Sequence, residues 1–308
     1  MTDTVVIARQ HLRSLARRQT FVLMLVVLLL MTALSGFIGW SSHATIIRVY
    51  DETVRTLHAA GRSAPPNPFD NKPRLALLNN MIIYVPLIGA LLAIVIGHLS
   101  VMDDRLAGVT RVIFSRPVSR SSYFWGKFAG SAIAITAIMA ACLLLSGVAI
   151  TLLNSGLPTA SELLRLIEFY LLAGAYLMLF VLIGMIASLL LRSQSMALFA
   201  AVAVWVLITF ATPQFTSGLR PVASLNPVTD PVTIKRSPFF KVTAAAKPAS
   251  VSEQYKALSA QILTEGSHVK PLDTAGKLAP IAIIGLLLTA WASRLVRRHD
   301  YSEESVRD

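Results

Sequence analysis

Phe21-Val-Leu-Met-Leu-Val-Val-Leu-Leu-Leu-Met-Thr-Ala-Leu-Ser-Gly-Phe-Ile-Gly-Trp40 runs for twenty residues without a charge. Wound as a helix it rises about 30 Å, the thickness of the hydrocarbon core of a bilayer. The preceding residues, Met1 to Thr20, place Val5, Ile7, Leu12, Leu15 and Ala16 at loose helical spacing among Arg9, His11, Arg13, Arg17 and Arg18. That pattern describes an amphipathic helix lying in the membrane interface. A secretory signal peptide is the rival reading, because Ala33, Ser35 and Gly36 are small. Its apolar core would be shorter, roughly 7–15 residues, and its basic region more compact, so the run reads as a retained first span.

Five more stretches of this kind follow, at about 81–101, 128–153, 167–191, 196–215 and 278–295. The bulk numbers agree with six spans. Of 308 residues, 55% are hydrophobic and 14% charged, against about 25% charged in a soluble domain. Mean hydropathy is +0.64. This composition excludes a disordered chain, which needs low hydrophobicity and high charge, and fits an ordinary soluble enzyme poorly. A net charge of +12 would suggest nucleic acid in a soluble protein. In a membrane protein, basic residues collect at the membrane edges instead, so no nucleic-acid partner is expected. The single Cys142 lies within an apolar stretch and reads as a small core hydrophobe.

Six spans put both termini on one side. Arg9, Arg13, Arg17, Arg18, Arg105, Arg111, Arg116, Arg120, Lys127, Arg192, Arg294, Arg297, Arg298 and Arg307 all fall on that side, in short flanks and loops. The remaining Lys and Arg are spread over longer loops, mostly one that insertion rules discount. The dense side is therefore read as cytoplasmic, with both termini in. The outer loops are then about 41–80 and 216–277. The first begins as a helical extension capped near Gly61 and is broken by Ser63-Ala-Pro-Pro-Asn-Pro. In the second, Ser250 and Glu253 read as a capping box, with Val251, Tyr255, Leu258, Ile262 and Leu263 on one helical face and Gly266 at the end. That face suits either the membrane or a partner. Neither loop is large enough for a conventional independent core.

The sequence carries no HExxH, CxxC or GxSxG motif. The closest approach to a phosphate-binding loop is Gly126-Lys127, but Ser121 stands where the first Gly belongs and Phe128 where the hydroxyl belongs. No catalytic residue, metal site or cofactor is therefore expected in this chain, and any ATP and Mg are expected on another subunit. The six histidines show no ligand spacing and the nine methionines read as core filler. Ionisable residues inside spans are costly and often functional. His98 sits near the inner end of the second span and reads as a snorkelling interfacial side chain. Glu162, Arg165 and Glu168 stand at i, i+3 and i+6 where the fourth span begins. They are spaced to pair along one face, as an edge ion cluster or as the polar rim of an outer gate.

The loop between the second and third spans is the most informative: Asp103-Asp104-Arg105-Leu106-Ala107-Gly108-Val109-Thr110-Arg111-Val112-Ile113-Phe114-Ser115-Arg116-Pro117-Val118-Ser119-Arg120. Val109, Val112 and Ile113 with Phe114 give a short amphipathic helix, which Pro117 ends. A rigid helix held between two spans is a lever able to carry force from a soluble partner. The segment resembles the coupling region of ABC type-2 transporter permeases, acidic-Arg-Glu-x-Gly-Thr followed by Ser-x-Pro-Val-Ser-Arg. It looks most similar to permeases grouped with multicopper-enzyme maturation, including the copper-site assembly transporter of nitrous oxide reductase. Asp104, Arg105 and Gly108 match the first half, and Arg111, Ser115, Pro117, Val118, Ser119 and Arg120 the second. Gly126-Lys127-Phe128 and Gly130 match the start of the third span. Leu106 and Val109 depart, standing where the family usually has Glu and often Thr. Leu225-Asn226-Pro227-Val228 with Asp230 resembles a stretch after the fifth span of the same permeases, and the basic N-terminal helix resembles their elbow helix.

The resemblance implies an all-α integral membrane protein, residues 1–308 forming one permease domain. It would have an elbow helix over about 1–20, including Arg13, Arg17 and Arg18, six transmembrane helices, and a cytoplasmic coupling helix between spans two and three. It implies an exporter-like permease subunit in a bacterial-type cytoplasmic (inner) membrane, paired with a second copy or homologue and with ABC ATPase subunits. Asp104, Arg105 and Arg111 are then expected to contact the ATPase, with Gly108 and Pro117 shaping the helix ends. Three rivals stand beside it. One is an ATP-driven machine that acts on an extracytoplasmic accessory protein, maturing a metalloenzyme or lipoprotein without moving a solute. Another is an integral-membrane enzyme, which the lack of paired acidic, His or Cys groups in the spans argues against. The last is a structural anchor, which leaves the coupling segment unexplained. Nothing in the residues names a substrate.

Overall fold

Each of the six apolar stretches is wound into a helix in the computed structural model, which describes residues 3–63, 73–106, 118–153, 156–217, 248, 250–265 and 271–298. Among the described residues every regular element is helical. Helix α1 spans Asp3–Ala16 and α2 Gln19–Ala59. The apolar helices α3 (Met81–Arg105), α4 (Arg120–Leu153), α5 (Ala160–Leu190) and α6 (Gln194–Thr216) follow. A short helix, α7 (Val251–Ala260), precedes the last one, α8 (Pro271–Arg298). The chain is thus a multi-pass helical membrane protein by length and composition of its helices.

Helix α5 is the axis of the bundle. Of its most apolar stretch 78% is buried, against 17% in α8. A helix apolar all round belongs in a core, and Phe169, Tyr176, Leu177, Phe180 and Val181 fill the space around it. Helices α2, α6 and α8 instead expose Leu23, Phe37, Phe199, Leu286 and Leu287, as lipid-facing helices do. The tightest crossing joins α3 to α5. There Gly97 abuts the backbone of Val181, and Gly184 abuts the backbone of Ile94 and His98. Small residues let helix backbones approach closely where lipid offers no hydrophobic drive for association.

Helix α2 continues for 41 residues, or about 60 Å, twice the hydrocarbon thickness. It ends in a Schellman turn: Gly61, at φ 68°, donates to His58 O at 3.0 Å and Arg62 N donates to Leu57 O at 2.9 Å. The helical extension and its glycine cap are as the sequence suggests. The proline-rich run after Ser63 lies outside the described residues.

Two spans carry a π turn, and each freed carbonyl is reclaimed. In α3 the turn Val85–Gly89 contains Pro86, which has no N–H to give. Ala90 N bonds Val85 O, leaving Pro86 O free, and the Trp205 indole of α6 donates to it at 2.8 Å. In α6 the turn Leu207–Ala211 leaves Ile208 O free, and Thr212 Oγ1 takes it at 2.7 Å.

The amphipathic face expected at residues 251–263 packs into the chain's own bundle. Val251, Tyr255, Leu258 and Leu263 are buried. The Tyr255 ring stacks on Tyr176 of α5, centroids 4.4 Å apart and planes at 27°. Tyr176 lies about 24 Å along α5 from its start, so α7 sits beside the middle of a span. The expected Ser250 capping box does not form. The Ser250 hydroxyl makes no cap bond, and the Glu253 carboxylate accepts instead from Thr216 Oγ1 of α6 at 2.9 Å. Tertiary contact has taken the carboxylate that a local cap would have used. Gly266, expected to end this segment, lies outside the described residues, as do Leu225 to Asp230.

Candidate coupling junction

The last turn of α3 carries Asp103, Asp104 and Arg105 in succession. Neighbouring residues on a helix point about 100° apart, so three consecutive charges address three different elements. Asp103 Oδ2 meets Arg18 Nη2, between α1 and α2, at 2.8 Å. Asp104 Oδ2 receives Lys127 Nζ at 2.7 Å and the Tyr123 hydroxyl at 2.8 Å, both from α4. Lys127 also stands 5.7 Å from the Tyr123 ring centroid. Arg105 Nη1 donates to Ser188 O at 2.6 Å and Leu191 O at 3.0 Å, which closes the C-terminal end of α5. Helix ends leave carbonyls unsatisfied and carry partial negative charge, and a cation answers both.

The far side of the loop is tied down as well. Ser119 caps α4 by accepting from Ser122 N at 3.0 Å, and Arg120 Nη1 donates to Arg297 O in the last turn of α8 at 2.6 Å. The described residues on either side of 107–117 are therefore tied to α1, α2, α4, α5 and α8. Gly108, Arg111, Ser115 and Pro117, with the short helix expected there, lie outside the described residues.

Arg105 is 6% exposed, and Asp104 is held by Lys127 and Tyr123. Both side chains make contacts within the chain. A charge at the end of a span looks the same in sequence whether it faces a partner or a neighbouring helix terminus. Ser119 and Arg120 are likewise occupied by a helix cap and a helix end.

Helix α1 lies across α4 through two glycines one turn apart. A Cβ on Gly126 would come within 2.7 Å of Ile7 Cβ, and one on Gly130 within 2.9 Å of His11 Cδ2. His11 is buried and its Nε2 lies 3.1 Å from Ser131 Oγ. Burial, and then the cations Lys127 and Arg18, push its pKa down to about 3. The histidine is neutral when folded and protonates readily when released. Its stabilising contribution is complete above about pH 6.5 and is lost as pH falls toward 3. Lowering the pH from 7 to 5 is expected to weaken the α1–α4 contact by about 2 kcal/mol. Amide exchange of α1 should rise over that interval, and His11→Gln should abolish the rise. Arg13 and Arg17 are exposed and, with Arg9 and Arg18, line a groove of about 610 Å³ along α1.

Glu162, Arg165 and Glu168 do not pair with one another among the described residues. Glu162 instead completes a capping box with Thr159: its Oε2 accepts from Thr159 N at 2.8 Å, while Glu162 N donates to Thr159 Oγ1 at 3.3 Å. Glu168 is exposed. His98 does not snorkel. It is buried, with Nδ1 2.8 Å from Ser188 Oγ, and that hydroxyl donates to Gly184 O at 2.9 Å. Sequence reasoning missed Ser188, which meets both His98 and Arg105. The signal was the pair Gly184-x-x-x-Ser188, a small-residue repeat of the kind that marks helix contacts in membranes.

Six apolar helices long enough to cross a bilayer define a multi-pass membrane protein. Residues 5–244 match the model of the family described as ABC-2 family transporter protein. The chain belongs to that family. It is a membrane transporter component and not itself an enzyme, and the family pairs with an ABC ATPase subunit. Comparison with curated proteins gave no match.

Proposed function

We propose that this chain is the exporter-type permease subunit of an ABC transporter, two such subunits working above two ATPase subunits that carry ATP and Mg. The observation that carries the reading is the junction at Asp103–Arg105. It ties the start of the loop 107–117 to the ends of four neighbouring elements. A push on that loop reaches α5, the axis of the bundle, through the Arg105 contacts to Ser188 and Leu191. It reaches α1 and α2 through Arg18 and Asp103. In this reading α1 is the elbow helix, residues 107–117 hold the coupling helix, and both termini face the cytoplasm of a bacterial-type inner membrane. Nucleotide-driven closure of the ATPase pair then biases a two-state rearrangement of the spans.

Roles divide along the junction. Asp104 and Arg105 position the loop, whereas Arg111, with Gly108, Ser115 and Pro117, belongs to the surface that meets the ATPase. Arg111→Glu is expected to leave the permease folded and to cut ATPase co-purification at least tenfold, because a like-charge contact costs about 1.4 kcal/mol or more. Undiminished capture of the ATPase by a folded Arg111→Glu variant would remove this segment from the docking surface.

A further inference from the structure

Helices α6 and α8 both pack on α5, and the three leave a cleft of about 350 Å³ between them. Phe180 of α5, Ile208 of α6 and Val251 at the start of α7 form its inner end, and Leu190 of α5 and Trp291 of α8 its other end. The walls are apolar. Leu190 is 53% exposed, Trp291 48% and Val204 of α6 39%, so the cleft opens sideways toward the bilayer.

Length is the first guide to its occupant. From the lining residue Leu179 to Leu190, α5 rises about 16 Å, close to the depth of one leaflet of the hydrocarbon core, about 15 Å. The cleft therefore runs from the middle of a span to the end that Arg105 closes, room for one acyl chain. Charge is the second guide. Arg192 follows the lining residue Leu191, and Arg294 stands one turn beyond Trp291 on α8. Both are exposed, and neither has an acidic partner among the described residues. Guanidinium groups match phosphate with paired N–H donors, and basic pockets between spans hold anionic headgroups. A second copy of the chain fits less well. A two-fold axis here would set recess against recess and bring like-charged arginines together.

We propose that the cleft between α5, α6 and α8 binds one anionic phospholipid of the adjoining leaflet, with an acyl chain against α5 and the phosphate at Arg192 and Arg294. Binding needs no ATPase, so it stands apart from the coupling role assigned to residues 107–117.

Native mass spectrometry of the full-length permease, loaded with equal amounts of phosphatidylglycerol and phosphatidylcholine, tests this. The parent is expected to retain phosphatidylglycerol in at least about fivefold excess, the preference that one screened phosphate contact supplies. Ala200→Phe places a ring in the cleft and should cut retained phosphatidylglycerol about tenfold without lowering the melting temperature, because it fills a space rather than a packed core. The double variant Arg192→Gln, Arg294→Gln changes only exposed side chains, so it folds, and it should retain both lipids equally. Equal retention of the two lipids by the parent overturns the proposal, as does parental retention of phosphatidylglycerol by either variant. A dimer peak that Ala200→Phe abolishes would assign the cleft to a second copy and overturn it too.

Discussion

Replacing Gly184 with leucine is expected to leave almost no folded protein in the membrane. A side chain there would overlap the Ile94 carbonyl and bring its Cβ to 3.0 Å from His98 N. Both obstacles are backbone, so no rotamer change relieves them. Overpacking a core typically costs about 1–3 kcal/mol, and even alanine at this position is expected to sit at the upper end. The sensitivity is local. In α4, Gly147 has nothing within 4 Å of its would-be Cβ, and Gly147→Ala is expected to be neutral or stabilising by up to about 1 kcal/mol. Size-exclusion profiles of extracted membranes and melting temperatures give the comparison. A Gly184→Leu variant that accumulates and melts like the parent would refute the α3–α5 crossing.

Arg105→Ala is expected to lower the stability of the permease in the absence of any ATPase. The guanidinium supplies bonds to Ser188 O and Leu191 O, and bonds from a charged donor are worth about 1.5–3 kcal/mol each. A loss of about 3 kcal/mol corresponds to a fall of about 5 °C in melting temperature for a chain of this size. Both bonds leave Nη1, and Arg105→Lys should recover only part, because a lysine is shorter and its more strongly hydrated ammonium is costlier to bury. Differential scanning fluorimetry of the isolated permease separates the two roles. A residue that served only to touch the ATPase would leave the melting temperature unchanged and lower co-purification alone.

The spans were legible because an uninterrupted apolar run of some twenty residues has few other fates. The roles of charges at the span ends were not, because their partners are remote in sequence. Arg105 finds Ser188, 83 residues away, and Glu253 finds Thr216, 37 away. The two capping-box strings make the point sharply. Thr159-x-x-Glu162 and Ser250-x-x-Glu253 read alike, yet only the first, near the solvent-exposed start of α5, closes on itself. The apolar face of α7 was legible down to Val251, Tyr255 and Leu258. Its partner, Tyr176 in the middle of α5, was not, since periodicity describes a face and says nothing of what meets it.

The length of α2 has a practical consequence. A chain of 33.4 kDa with six helices in a detergent or lipid belt gives an electron micrograph little to align. Some 30 Å of α2 stand beyond the hydrocarbon layer, ending in the rigid turn at Gly61. That rod is a built-in landmark for particle orientation, and its tip is an epitope that a binder can grip without touching the bundle.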